Sequence, residues 1–204
     1  MKPEDKVYRA FYKTKEKKLY FNQIKELTGL SDSSLSNTLK KLKNKKEAKK
    51  YVTKAHTFYE LIDKELKILN FMRFDLDKFN NLNREIRIPL QEFLKKIPFQ
   101  IAFVILFGSS AKKQEQKNSD IDLLITLFYF NKEKLYKLYF EEMKIFFSGI
   151  KKEIDALSIH PLSLAFVDLK TYRTSKDYLI LEAKNKGFPI FGHVNYYKVN
   201  YEDH

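Results

Sequence analysis

The chain contains no cysteine and no tryptophan among its 204 residues, and only five glycines and five prolines. Without cysteine there can be neither a disulfide framework nor a thiolate metal site. So little glycine and proline, beside a 44% share of hydrophobic residues, excludes a collagen-like or disordered composition. No run approaches the roughly 20 apolar residues that a membrane span requires. The start, Met1-Lys2-Pro3-Glu4-Asp5-Lys6, lacks the apolar core of a signal peptide. A cytoplasmic protein with no membrane partner is therefore expected. Negative charge is also in short supply: 26 acidic residues stand against 39 basic ones, a formal net charge of +13. That excess suits a polyanionic partner, nucleic acid or nucleotide, although lysine-rich faces are commonly just solvated and such a composition also suits a hot environment. The length allows one good-sized domain or two small ones.

What is present centres on two short motifs. The apolar run 101–107 breaks at Gly108-Ser109, and a Gly-Ser that leaves a buried strand and enters a helix offers backbone N–H groups and a hydroxyl to phosphate oxygens. After a polar loop comes Ser119-Asp120-Ile121-Asp122-Leu123. On a strand, residues i and i+2 share a face, so Asp120 and Asp122 point together while Ile121 and Leu123 point away. The repulsion between two such carboxylates is relieved by a divalent cation, and hard cations take oxygen ligands, including substrate phosphates. The competing structural explanation, two aspartates that merely cap a sheet edge, leaves the matched Gly-Ser unaccounted for.

Gly-Ser, the following spacing and Ser-Asp-hydrophobic-Asp resemble the signature of the polymerase beta-like nucleotidyltransferases, in particular the minimal nucleotidyltransferases of archaea and bacteria, over roughly residues 98–192. Gly108, Ser109, Ser119, Asp120 and Asp122 fall on the matching positions without a gap. Where the family usually has a second glycine this chain has Lys113, and Lys112 stands where arginine is common. A side chain at the glycine position costs backbone freedom in that turn. The resemblance implies a nucleoside triphosphate over Gly108, Ser109, Lys112 and Ser119, and Mg²⁺ or Mn²⁺ held by Asp120 and Asp122. It also implies one more carboxylate from a neighbouring strand, and Glu153–Pro161 is the stretch placed to supply that strand. Asp155 is the candidate third catalytic and metal-binding acid, with Glu153 as another. Counted back from Leu162-Ser163, however, the position falls on Ser158, which would leave no third acid. His160, before Pro161, reads as structural.

The N-terminal third has its own pattern. Asn22 can cap a helix over 23–28 that stops at Gly29. The next helix carries Leu35, Leu39 and Leu42 as an apolar stripe. Two short strands, 48–53 and 57–61, around Lys54-Ala55-His56 would form a hairpin. Residues 5–61 thus resemble a winged helix-turn-helix domain. That resemblance would place Ser34, Ser36, Asn37 and Lys40 in a major groove of double-stranded DNA, with Lys49, Lys50 and Lys54 on phosphates. Winged helices also serve as docking or dimerisation modules, and the recognition helix lacks the arginine that guanine readout favours.

From 63 to 97 the chain reads as a helical connector, with Leu66, Leu69, Met72 and Leu76 in a first segment and Ile86, Leu90 and Phe93 in a second. Asn80-Asn81 is the break, and Pro89 implies a late helix start or a kink. Beyond the Asp strand, 121–127, a helix over 132–147 should pack through Leu135, Leu138, Tyr139, Met143 and Phe146. Ser175 can cap a further helix that stops at Gly187, and 188–192 reads as a short final strand or extended piece. The expected architecture is α+β: a winged helix-turn-helix at 1–62, a connector at 63–97, a nucleotidyltransferase fold with a mixed sheet flanked by helices at 98–192, and a tail at 193–204 with no function assigned. The expected activity is transfer of a nucleoside monophosphate from a triphosphate to an acceptor. The alternatives are a DNA-binding or antitoxin-like regulator, with a protein partner such as a toxin, and an interaction protein with an inactive site. A winged helix reading a palindrome would favour a homodimer.

Overall fold

In the computed structural model, residues 1–201 are described apart from Ala55 and Phe99. Ala55 in the expected hairpin loop, Phe99 near the start of the expected catalytic domain, and 202–204 in the tail lie outside the described residues. The chain divides into two compact units, Met1–Phe74 and Asp75–His204.

The first unit comprises α1 (Pro3–Thr14), β1 (Leu19–Tyr20), α2 (Phe21–Thr28), α3 (Asp32–Asn44), β2 (Ala48–Val52), β3 (Thr57–Leu61) and the start of α4 (Lys64–Asn80). Helix α2 begins two residues earlier than its sequence implies: the Tyr20 N–H donates to Gln23 Oε1 at 2.9 Å, so Asn22 lies inside the first turn and is not the cap. The stop at Gly29 holds, with φ at 63°. A tight turn leads to α3, where the Ser31 hydroxyl accepts the Ser34 N–H. The stripe Leu35, Leu39 and Leu42 is buried, and Ser36, Asn37 and Lys40 on the opposite side are exposed. Strands β2 and β3 pair antiparallel from Ala48 opposite Leu61 to Val52 opposite Thr57, and β1 adds a short third strand on β3. In α4 the buried positions are Ile68, Phe71, Phe74, Asp75 and Phe79, whereas Leu69 and Leu76 are exposed. The expected leucine stripe is therefore rotated away, because three phenylalanines on the other face bring more apolar area to bury.

The second unit holds the rest of α4, then α5 (Arg84–Lys95), β4 (Ile101–Phe107), α6 (Gly108–Ala111), β5 (Ile121–Leu127), α7 (Glu133–Asp155), β6 (Leu162–Asp168), α8 (Leu169–Thr174), α9 (Tyr178–Lys186), β7 (Phe188–Phe191) and α10 (His193–Tyr201). Its sheet runs β6-β5-β4-β7, with β5 and β6 parallel and the other neighbours antiparallel. This mixed sheet with helices is the α+β arrangement. All seven residues of β4 are buried, which is why the run 101–107 is apolar without alternation. Pro89 sits inside α5, which starts at Arg84 and does not start late.

Three more expectations change. Helix α7 extends to Asp155, and its buried residues are Phe147, Ile150 and Ile154, while Leu135 and Leu138 are exposed. The cap of α9 is Asp177, whose carboxylate accepts the N–H groups of Leu179 and Ile180, and Ser175 instead ends α8. The stretch read only as a tail forms helix α10. Tyr196 packs edge-on against Phe103 with ring centroids 5.5 Å apart, and Tyr197 donates its hydroxyl to the buried Asp75 at 2.5 Å. Asn195 Nδ2 donates to the Ala102 carbonyl at 3.1 Å.

Candidate functional site

The Gly-Ser turn and the aspartate pair meet where β4 ends and β5 begins. Phe107, the last residue of β4, lies opposite Asp122, so Gly108 emerges directly beside that carboxylate. Gly108 has φ at +70°, and a Cβ built on it would stand 2.2 Å from Asp122 Oδ2. Glycine is thus required here twice, by the left-handed backbone and by the approach of the carboxylate. Along β5 only Asp122 escapes full burial. The side chain is held in a mostly apolar strand because its oxygens face the turn rather than the core.

The electrostatics follow from that position. Burial raises the Asp122 pKa above the ordinary carboxylate value, the negative charges of Asp120 and Glu182 push it further up, and a hydrogen bond with the Ser163 side chain opposes them. Ser163 stands next to Asp122 because β5 and β6 pair in parallel register, Asp122 beside Ser163. Asp120 itself is exposed, one residue ahead of the strand. Its backbone is tied down: the buried Ser110 hydroxyl, on the single turn of α6, donates to the Asp120 carbonyl at 3.3 Å. On the other side of the loop, His160 Nδ1 lies 2.8 Å from the Ser119 carbonyl, and the Ile121 N–H donates to the Pro161 carbonyl at 2.8 Å. His160 is buried and acts on the backbone, in keeping with a structural role.

The remaining predicted residues divide. Ser109 lies in the α6 turn and its carbonyl accepts the N–H groups of Lys112 and Gln114. The Ser119 hydroxyl accepts the Gln116 N–H at 2.8 Å, closing the loop before Asp120. Lys112 is paired with Glu182 on α9 at 3.5 Å, and Glu182 also faces Lys186 at 3.7 Å. Lys113 adopts φ of 56°, so the lysine takes up the left-handed backbone that glycine favours, and the turn keeps that shape despite the side chain.

Asp155 is not on a strand. It closes α7, Oδ1 accepts the Leu162 N–H at 2.7 Å, and Oδ2 pairs with Lys151. The third strand starts at Leu162, after a turn through Ser158 and His160, rather than within 153–161. The strand position beside Asp122 is therefore Ser163, a hydroxyl where a carboxylate was sought. Among the described residues no three His, Asp or Glu side chains gather around one point. The structure accordingly does not bring Asp155 together with Asp120 and Asp122, and Glu153 is on the exposed side of α7, paired with Lys96.

A sequence profile described as Polbeta, "Polymerase beta, Nucleotidyltransferase", matches residues 89–193, just over half of the chain. The chain belongs to the polymerase beta nucleotidyltransferase family. In this nucleotidyltransferase unit, two residues not predicted from the sequence act on Asp122: Ser163 through a hydrogen bond and Glu182 through its negative charge. Ser163 was legible only through the register of β6 on β5. Glu182, some sixty residues beyond Asp122, carries no sequence signal and reaches the site only because α9 packs beside α6. No curated protein matches the chain. Two solved structures resemble part of it. One is from the "Mechanism for regulation of DNA binding of Bordetella bronchiseptica BpsR by 6-hydroxynicotinic acid" (15% identity, 46% of this chain and 76% of that one, TM-score 0.32). The other is the PcaV transcriptional regulator of Streptomyces coelicolor (16% identity, 47% of this chain and 72% of that one, TM-score 0.33).

In the first unit, Ser36, Asn37 and Lys40 on α3, Lys49 and Lys50 on β2 and Lys54 after it are all exposed, and Ser34 is half-buried beneath its cap. Lys49 leans over the Tyr51 ring, 5.0 Å from its centroid, and Lys18 approaches the same ring at 4.3 Å. Glu47, the acidic residue within this lysine-rich stretch, accepts the Tyr8 hydroxyl at 3.1 Å and pairs with Lys45 at 3.7 Å.

Proposed function

We propose that the second unit transfers a nucleoside monophosphate from a nucleoside triphosphate to an acceptor hydroxyl, and that the first unit is a winged helix-turn-helix that binds double-stranded DNA. The observation that carries the first part is Gly108, whose missing side chain leaves room for the Asp122 carboxylate directly beside the Gly-Ser turn. Two carboxylates, one exposed and one with its pKa raised, suit a Mg²⁺ or Mn²⁺ ion, which takes one or two protein carboxylates and fills its shell with water and phosphate oxygens. Asp120 and Asp122 would hold that ion, which supplies charge neutralisation to the triphosphate when bound. Gly108 and Ser109 would pass close under the phosphates, and Lys112, withdrawn from Glu182, would face the leaving pyrophosphate. As the acceptor hydroxyl gives up its proton to solvent, its oxygen bonds to the α-phosphorus and the bond from that phosphorus to the bridging β-phosphate oxygen breaks, releasing pyrophosphate. The residues contribute by positioning and by charge, not by covalent chemistry.

Incubation with labelled triphosphates, Mg²⁺ and a cell extract tests this, with transfer of label to one acceptor as the expected result. The paired variants Asp120→Asn and Asp122→Asn should lose transfer by about a thousandfold or more. Unchanged transfer, together with unchanged Mg²⁺-dependent stabilisation by triphosphate, would overturn the reading.

For the first unit the supporting observation is a helix, turn, helix and antiparallel hairpin that expose Ser36, Asn37, Lys40, Lys49, Lys50 and Lys54. Lysines on helix and hairpin suit contacts to phosphates, which set position and salt dependence rather than sequence.

A further inference from the structure

One face of α7 is unpartnered in an ordered way. Leu138, Glu142, Ile145, Gly149, Lys152 and the helical C-cap Ala156 follow one another at alternating steps of four and three residues, which is the seam spacing of a helix that packs along another helix. All six are exposed, Leu138 at 63% and Ile145 at 73%. A Cβ built on Gly149 would meet nothing within 4 Å, so the surface there is open. Glu142 and Lys152 form no side-chain hydrogen bond or ion pair among the described residues, although Glu141 and Lys151 next to them are paired.

From this pattern we infer that α7 is the interface of a homodimer, packing antiparallel on α7 of a second copy about a two-fold axis at the level of Phe147. The argument is self-complementarity. Leu138 and Ala156 stand nine residues before and after Phe147, Glu142 and Lys152 five, and Ile145 and Gly149 two. An antiparallel two-fold therefore sets Leu138 against the partner's Ala156, Glu142 against the partner's Lys152, and Ile145 against the partner's Gly149. Every layer joins a large side chain to a small one or an anion to a cation, and each occurs twice by symmetry. A shift of register by one layer puts Ile145 against Lys152 in one direction; in the other it sets Leu138 against Lys152 and leaves Glu142 opposite Gly149 without a cation, so the pattern selects this pairing. Phe147 itself faces the core and stays there. The seam is about 27 Å long at 1.5 Å per residue. One helix pair of that length falls below the roughly 1,600 Å² of a standard interface, so dimerisation is concentration-dependent. This assignment is independent of the transferase and DNA-binding readings.

Sedimentation equilibrium of the full chain over a wide concentration range reads the inference directly. The expected result is a monomer–dimer equilibrium that Glu142→Lys, which sets two lysines opposite each other twice, weakens by roughly a hundredfold. The double variant Glu142→Lys/Lys152→Glu restores the pairing and should recover most of the loss. Ile145→Asp should give monomer throughout. All three positions are exposed, and far-ultraviolet circular dichroism confirms that the variants remain folded. A monomer at every concentration, a dimer indifferent to Glu142→Lys and Ile145→Asp, or a charge swap without recovery would each overturn the inference. Assembly only with a different protein would do the same.

Discussion

The two units carry their chemistry in opposite ways. In the second, four residues from two strands, a turn and a loop converge at one end of the sheet: Gly108, Asp122 and Ser163 meet through register, and Asp120 hangs from a backbone pinned by Ser110 and His160. In the first, the polar face of α3 and the lysines of β2 project into solvent, each nearly independent of the next. A site made by convergence fails at one atom, whereas a face made by local periodicity fails by degrees.

The sharpest way to break the comparison is Gly108→Ala. The added methyl must occupy the space of Asp122 Oδ2, and φ at +70° strains any side chain. Transfer should fall about a hundredfold, and stability by about 2 kcal/mol, read by turnover and by denaturant unfolding. Single substitutions in the first unit should do far less. Lys49→Ala, Lys50→Ala and Lys54→Ala should each weaken DNA binding by only about three- to tenfold and lower the salt slope by about one per lysine, measured by titration at several salt concentrations. They should leave transfer untouched. A single lysine that abolished binding would show that the face, too, is a convergent site.

A smaller effect concerns pH. The Asp122 pKa is raised above its ordinary value of 3.8, so folding favours the protonated form. The stability this contributes is fully present below the ordinary value and is lost as pH rises through the raised one. Asp122→Asn removes the charge that causes the loss. The ligand-free variant should therefore unfold about 2 °C higher than the native protein at neutral pH, a gap that closes in acid, while it loses transfer. Differential scanning calorimetry across pH reads both. The smallest effect is at Lys113, where relief of φ at 56° offsets the added chain entropy of glycine. Lys113→Gly should change stability by no more than about 1 kcal/mol, on the stabilising side.

How far the fold can be read from the chain follows the same division. The Asp strand and the apolar strand before it were legible as short apolar runs, and the α3 stripe by its helical period. So was the Gly-Ser turn, by the spacing that links it to the aspartates. What escaped depends on partners remote in sequence. The strand beside Asp122 starts at Leu162 and not within 153–161, because α7 runs more than two turns past Phe147 before the chain can return. Only the parallel register then decides that Ser163 is the neighbour. In α4, leucines and phenylalanines offered two rival helical faces, and the larger rings took the core. In α7 the expected apolar stripe included Leu135 and Leu138, which the structure leaves outside. Periodicity identified apolar residues there without saying what they would cover.

The closing helix α10 sets a boundary on the unit. The matched family segment stops at residue 193, where α10 begins. Yet Tyr197 reaches back to Asp75, the first residue of the compact unit, and Tyr196 shields Phe103 in the strand that leads to Gly108. The two ends of the unit's sequence are thus fastened to each other, like a strap drawn through its own buckle. A fragment trimmed to the recognised family limits would leave Phe103, at the start of the strand that leads to Gly108, uncovered, so the smallest self-sufficient piece of this fold is longer than the part by which its family is known.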